Sequence, residues 1–195
     1  MTRALLLVDI QLDYFPGGAF PLVEPEAAAR AARRVVDAFR ASGEHIVHVF
    51  HVSTEDDATF FRPDTPGLAF YPLVEPLAGE TVLEKHAPNS FIGTGLAEHL
   101  ADAGVDEVVL VGMMSSMCID STARAAAEAG YDVTVVADAC SAPDLTFGET
   151  VVPGATVHAA FMAALGSAFA TVLTAERVPD GEPRTAAAPS GTLDL

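Results

Sequence analysis

EVVLVGMMSSMCIDSTARAAAEAG, residues 107–130, holds a strand, a tight turn and a helix in that order. Val108-Val109-Leu110-Val111 is a short continuous apolar run, the pattern of a strand buried on both faces. The alanine-rich run over 118–129, closed by Gly130, predicts a helix. Between them, Gly112-Met113-Met114-Ser115-Ser116-Met117 delivers Cys118 to the helix start. Unpaired N–H groups and the positive end of the helix dipole stabilise an anion there. A thiol at that point is therefore expected to have a lowered pKa and to be an available nucleophile. The competing reading is a small, buried, apolar cysteine. In an open α/β sheet, ligands bind outside the carboxyl ends of the strands, which is where this turn lies.

The same strand-then-helix order extends in both directions. Ala4-Leu5-Leu6-Leu7-Val8 is a central strand by its unbroken apolar run, and Asp9-Ile10-Gln11-Leu12-Asp13 follows it. Pro25 and Glu26 at the start and Gly43 past the end predict a helix over 25–41. Residues 45–52 predict a second strand, and Thr81-Val82-Leu83-Glu84 a third that ends at Lys85. A helix over 94–103 leads to the quoted stretch. Beyond it come a strand over 131–137, a helix over 155–169 and a strand over 170–173. The long segment 53–76 carries Pro63, Pro66, Pro72 and Pro76 and is expected to be an irregular lid or wall, docked by Phe60, Phe61, Phe70 and Tyr71. Residues 141–153 are expected to be a second irregular loop. Alternating strands and helices imply an α/β fold: a three-layer, doubly wound sheet of six mainly parallel strands with helices on both faces. One domain over 1–178 is expected, with 179–195 a flexible tail rich in Pro, Gly, Ala and Ser.

Composition narrows the function. A net charge of −17 argues against nucleic acid and anionic membrane as partners. No apolar run is long enough to span a bilayer, and the opening residues lack the long apolar region of a leader. Two cysteines do not make a disulfide framework, so a reducing, cytoplasmic location is expected. Nine of the ten basic residues are Arg; the single Lys is Lys85. An ammonium is a compact point charge that can lose its proton when desolvated, which a guanidinium effectively cannot do.

Three strands thus end in residues of chemical use: Asp9, Lys85 and Cys118. Along one sheet edge, a carboxylate can accept the thiol proton and return it to a leaving group. An ammonium can stabilise both anions, and the thiol can attack a carbonyl carbon. The backbone N–H groups of Met114 and Cys118 can hold the resulting oxyanion. Gln11, Phe15, Phe91 and Met117 are the expected pocket lining.

Leu7-Val8-Asp9-Ile10-Gln11 with Asp13, Glu84-Lys85 followed by Ser90-Phe91, and Gly112 through Arg124 resemble the motifs of the isochorismatase-like cysteine hydrolases. That superfamily includes nicotinamidases, N-carbamoylsarcosine amidase, streptothricin hydrolase and the isochorismatases. The resemblance covers roughly residues 4–173. It implies a six-stranded parallel sheet, an Asp9–Lys85–Cys118 triad and a cis peptide between Met113 and Met114 that turns the Met114 N–H toward the oxyanion. It also implies a homo-oligomer, for which the apolar helix over 155–169 is the expected contact. The zinc-dependent branch carries Asp-x-His after the second strand; here His48 and His51 lie within the strand and Ser53-Thr54-Glu55 follow. No metal and no other cofactor are therefore expected. His86 is a candidate pocket residue or a solvated neighbour, and Cys140 is expected to be structural. The expected activity is hydrolysis of an amide, lactam or carbamoyl C–N bond of a small molecule through a thioester. The alternatives are a vinyl-ether hydrolase of isochorismatase type and a catalytically idle binding or assembly module.

Overall fold

The computed structural model describes residues 1–178, so the expected tail over 179–195 lies outside the described residues. The chain runs β1 (Arg3–Val8), α1 (Pro25–Ser42), β2 (His45–His51), β3 (Thr81–Lys85), α2 (Leu96–Asp102), β4 (Glu107–Met113), α3 (Asp120–Glu128), β5 (Asp132–Ser141), β6 (Leu145–Phe147), β7 (Thr150–Val152), α4 (Gly154–Ala168) and β8 (Thr171–Leu173). Six strands form one sheet in the order β3-β2-β1-β4-β5-β8. Every neighbouring pair in it is parallel. All six strands therefore end at one edge, which brings the ends of β1, β3 and β4 together.

Alternation along each strand divides the core in two. Leu5 and Leu7 of β1, Val109 and Val111 of β4 and Val136 of β5 pack against Val35, Val36 and Phe39 of α1. Ala4, Leu6, Val8, Val108, Leu110, Val133 and Val135 face the other way. They meet Leu96 and Leu100 of α2, Ala123 and Ala126 of α3, and Met162 and Leu165 of α4. One helix thus covers one face and three cover the other, with β1 and β4 at the centre, buried from both sides.

Two local features set up the edge. Gly112 pairs with Val8, and its φ is +133°. A Cβ there would collide with the Val8 carbonyl, so only glycine lets β4 lie this close to β1. Beyond Leu110 the β4–β5 register shifts, and Cys140 and Ser141 then pair with Gly112 and Met113. The residue turned out by this bulge, Asp138, accepts a 2.7 Å hydrogen bond from the Ala175 N–H. The fifth strand consequently runs four residues past its expected end, because the bulge restores pairing after the break. The expected loop over 141–153 also differs: it contains the antiparallel β6–β7 hairpin. Its apolar residues face solvent, with Phe147 85% exposed, so no half-buried alternation marked it in the sequence.

Segment 53–76 is a docked wall. The Tyr71 N–H donates to the Ile10 carbonyl (2.8 Å) and the Leu12 N–H to the Ala69 carbonyl (2.9 Å). Phe61 packs edge-on against Tyr14 and Phe60, and Phe60 makes tilted contacts with Tyr14 and Phe20. The buried Asp13 carboxylate ties two loops together, its own after β1 and segment 53–76. It accepts from the Ala19 N–H at 3.0 Å and the Phe61 N–H at 2.6 Å, and it lies against Gly67, where any Cβ would collide with it. Gly67→Ala is expected to lower stability by about 1–3 kcal/mol through overpacking. Thermal unfolding followed by circular dichroism should show a melting point several degrees lower, and an unchanged one would contradict this packing.

Candidate active site

Asp9 is the first residue after β1. Its φ is +52°, a left-handed conformation that Asp adopts more readily than most residues. Its N–H still continues the ladder to the Val49 carbonyl at 2.9 Å. The side chain is wholly buried, and the Lys85 Nζ lies 2.8 Å from Oδ2. Neither carboxylate oxygen has a well-aligned hydrogen-bond partner among the described residues, so the ammonium charge is what holds it. A dry carboxylate whose neighbours are the Lys85 charge and the Cys118 thiol is what a base for that thiol requires.

Lys85, 1% exposed, is the hub. Its Nζ donates to Cys118 Sγ at 3.2 Å and to the Ala87 carbonyl at 3.1 Å, and lies 3.1 Å from His51 Nδ1. Burial alone would lower the lysine pKa, but the negative charge of Asp9 and the sulfur of Cys118 outweigh it and hold the pKa above its ordinary value. Burial raises the Asp9 pKa, opposed by Lys85 and the Cys118 contact, which makes the carboxylate a stronger base than an exposed one.

Cys118 departs from expectation in its setting. α3 begins only at Asp120; the cysteine lies two residues earlier, in a π-helical turn, Ser115–Ile119, closed by the Ile119 N–H to the Met114 carbonyl at 3.1 Å. Such turns occur often at functional sites. Burial and then the Asp9 charge push the thiol pKa up, against the opposing pull of Lys85. The lowered pKa expected from the helix start is thus overturned: a 5% exposed sulfur beside a carboxylate rests as a thiol. The peptide bond between Met113 and Met114 is cis. Ser115 anchors the turn by donating to the Ser141 carbonyl at 3.0 Å while His158 Nδ1 of α4 lies 2.8 Å from its Oγ. Thr122, one turn after Cys118, bonds Ser90 through both the Ser90 N–H (3.1 Å) and hydroxyl (2.9 Å). That pair clamps the turn after Lys85 to the helix after Cys118.

The other expected residues fall in varied places. Gln11 is fully buried and its amide is used internally: Nε2 donates to the His51 and Leu68 carbonyls at 3.0 and 3.1 Å, and Oε1 accepts from the His51 N–H at 2.8 Å. Phe15 is buried in a 3.7 Å stack on Tyr71. Phe91 stacks on Tyr131 at 6.3 Å. Met117, next to the cysteine, is 49% exposed. His86 is exposed, its ring bonded to the Val52 carbonyl at 2.8 Å and paired with Glu84. His48 is buried against Glu80 at 2.8 Å. Cys140 is buried within β5, and its thiol is pushed up to about 12 by burial. His51 is the residue sequence reasoning passed over as strand packing. Its contact depends on which neighbour the parallel register supplies, and β2 pairs His51 with Lys85.

Asp9, His51 and Cys118 offer ligand atoms within 4.8 Å of one another, a metal-like spacing. Lys85 Nζ is 2.8, 3.1 and 3.2 Å from these groups, so the cation at the centre of the cluster is the protein's own ammonium.

Residues 3–177 match the family model for the isochorismatase domain. The chain is 48% identical over 176 residues to an isochorismatase family protein of Bacillus subtilis, covering 90% of this chain and 98% of that one. It is 33% identical over 193 residues to a streptothricin hydrolase of Streptomyces noursei, covering 96% of this chain and 75% of that one. The crystal structure of N-carbamoylsarcosine amidase from Thermoplasma acidophilum shares the fold with a TM-score of 0.77 at 28% identity, over 90% of this chain and 98% of that one.

Lys85→Met leaves Asp9 buried without its counter-charge, which is expected to cost about 3–5 kcal/mol at neutral pH. The Asp9 pKa then rises further in the folded state. A raised carboxyl pKa carries its full penalty above the folded pKa; the penalty shrinks as pH falls through that value and is gone below the ordinary, unfolded carboxyl pKa. Denaturant unfolding of both proteins across pH should show the deficit shrinking toward acid; a pH-independent deficit would count against the pairing.

Proposed function

This chain belongs to the isochorismatase family, and from that premise we propose a metal-independent cysteine hydrolase that cleaves the C–N bond of a small amide, lactam or carbamoyl compound. The observation that carries the reading is Lys85 Nζ in contact with both Asp9 (2.8 Å) and Cys118 (3.2 Å). Family membership makes the protein a hydrolase; the bond and the roles below are our assignment.

As the substrate carbonyl approaches, Asp9 takes the thiol proton and Lys85 stabilises the thiolate that forms. Sγ attacks the carbonyl carbon. The negative charge moves to the carbonyl oxygen, which the N–H groups of Met114 and Cys118 receive. Asp9 then gives its proton to the departing amine or ammonia, and the C–N bond breaks to leave a thioester. Water, deprotonated by Asp9, attacks that thioester; the C–S bond breaks, the acid leaves, and Asp9 returns its proton to the Cys118 thiolate. A thiol protonated at rest suits this sequence, because its proton is the one the leaving group needs. We assign Met117 to the pocket rim and Phe15 to its wall. Gln11 acts through the His51 backbone it binds, and Phe91 through the packing behind Cys118. No helix among the described residues is long and apolar enough to cross a membrane, and we place the enzyme in the cytoplasm.

Ammonia release from a panel of primary amides, ureas and lactams, in the presence of a chelator, tests the activity. Cys118→Ala and Asp9→Asn should each abolish turnover, and their losses should not add. Lys85→Arg should also fail, since a planar guanidinium cannot take the compact place between carboxylate and thiol. Near-normal turnover by Lys85→Arg would sink the triad.

A homo-oligomer is part of the same reading. α4 carries no charged residue, and Ala155, Ala159, Ala160, Ala163 and Ala164 lie on its exposed side. Light scattering at micromolar concentration should give at least twice the 20.2 kDa of one chain; a monomer mass would contradict it.

A further inference from the structure

His51 closes β2, and its main chain is held on both sides by one side chain: its N–H donates to Gln11 Oε1 and its carbonyl accepts from Gln11 Nε2. The ring rests against Phe61, centroids 5.7 Å apart. Its Nδ1 lies 3.1 Å from Lys85 Nζ. An ammonium has donors only, so Nδ1 is the acceptor and the ring's single proton sits on Nε2. Burial first, then the charges of Lys85 and His86, lower the imidazole pKa to about 4, so the ring stays neutral at neutral pH. No hydrogen bond among the described residues uses Nε2, nor is it one of the buried polar atoms left unpartnered. It therefore faces space that a ligand or water can fill.

The cluster fixes the ring beside the nucleophile, with Nε2 on the same five-membered ring as the nitrogen that contacts Lys85. His51 presents a ring nitrogen within 4.8 Å of Cys118 Sγ and of the Asp9 carboxylate. A carbon bonded to Sγ carries its substituents within reach of the ring.

We propose that His51 is a specificity-determining residue whose Nε2–H donates to an acceptor on the acyl side of the substrate, two bonds from the attacked carbon and distinct from the carbonyl oxygen itself. This rests on the reading of Cys118 as the attacking group. The substrate class is then an amide whose acyl part bears an oxygen or an unprotonated nitrogen next to the scissile carbonyl. An alkyl or ammonium group there leaves the donor desolvated and unpaired, and sites built around a hydrogen bond reject analogues that lack it.

The test reads Cys118 alkylation, so it needs no known substrate. In each reaction the S–C bond forms, the C–I bond breaks, iodide leaves and the thiol proton passes to Asp9 or water. Iodoacetamide carries an amide oxygen two bonds from the attacked carbon, and iodoethane carries none. The ratio of the two rates is compared among wild type, His51→Phe, His51→Asn and His51→Gln. Gln keeps a donor near the place of Nε2; Asn keeps an acceptor near that of Nδ1. The ratio should fall roughly tenfold in His51→Phe and His51→Asn and be largely kept by His51→Gln. A ratio kept by Phe, or restored by Asn and not by Gln, would overturn the proposal. Ring-nitrogen NMR shifts of the wild-type protein should show Nε2 protonated and Nδ1 bare at neutral pH, and a proton on Nδ1 would also overturn it. A Cys118 inert to both reagents would instead sink the nucleophile reading, with the NMR result still deciding the tautomer.

Discussion

The buried ion pair between Lys85 and Asp9 is the constraint on which the site depends. Two charges taken out of water at a sheet edge are stable only if each finds the other, and removing either leaves an uncompensated charge in a dry interior. The 2.8 Å contact fixes the ends of β1 and β3 relative to one another across the intervening β2. It also bears on the protonation of its neighbours. Burial and then the Asp9 charge keep the cysteine a thiol, Asp9 holds Lys85 charged against its burial, and burial together with the Lys85 charge keeps His51 neutral.

The surrounding structure makes that pair possible. β1 and β4 are buried from both faces, so their carboxyl ends lie in dry surroundings without any long loop having to fold inward. Gly112 lets the two strands approach, Thr122 and Ser90 bind the turn after Lys85 to α3, and Ser115 with His158 holds the turn before Cys118. Asp13 performs the same office for the loops. Its one carboxylate satisfies two backbone donors from separate segments and closes the wall behind the site. These are buried polar contacts with their partners in place, which is why the loops here serve as walls and not as free lids.

The histidines separate three uses of one residue type. His48 is packed and paired with Glu80, His86 is at the surface, and His51 touches the lysine. All three are within two residues of the end of β2 or β3, or on β2 itself, so proximity in sequence to a strand end does not distinguish them. Direction and position along the strand do: successive side chains point to opposite faces, and of the three histidines on β2, His45, His48 and His51, only His51 lies beside Lys85.

The sequence alone determined the order of strands and helices, the parallel sheet and the three strand ends that carry Asp9, Lys85 and Cys118. It could do so because these rest on local pattern: apolar runs of fixed length, helix stops at glycine, and a lone lysine among arginines. Its motifs also carried the family. Four things were decided only by the tertiary structure. The direction of the Cys118 pKa depends on how much water burial removes and on the charge placed beside it, and no helix-start rule contains either. Gln11 serves the protein backbone because β2 and segment 53–76 converge on it. The hairpin over 145–152 forms although its apolar residues face out, so burial left no mark in its pattern. The contact of His51 with Lys85 exists because parallel register aligned two strands distant in the chain. Three of these are relations between residues far apart in sequence, and the exposure of the hairpin is set by what the rest of the fold leaves uncovered; pattern along the chain records only what neighbours along the chain must do.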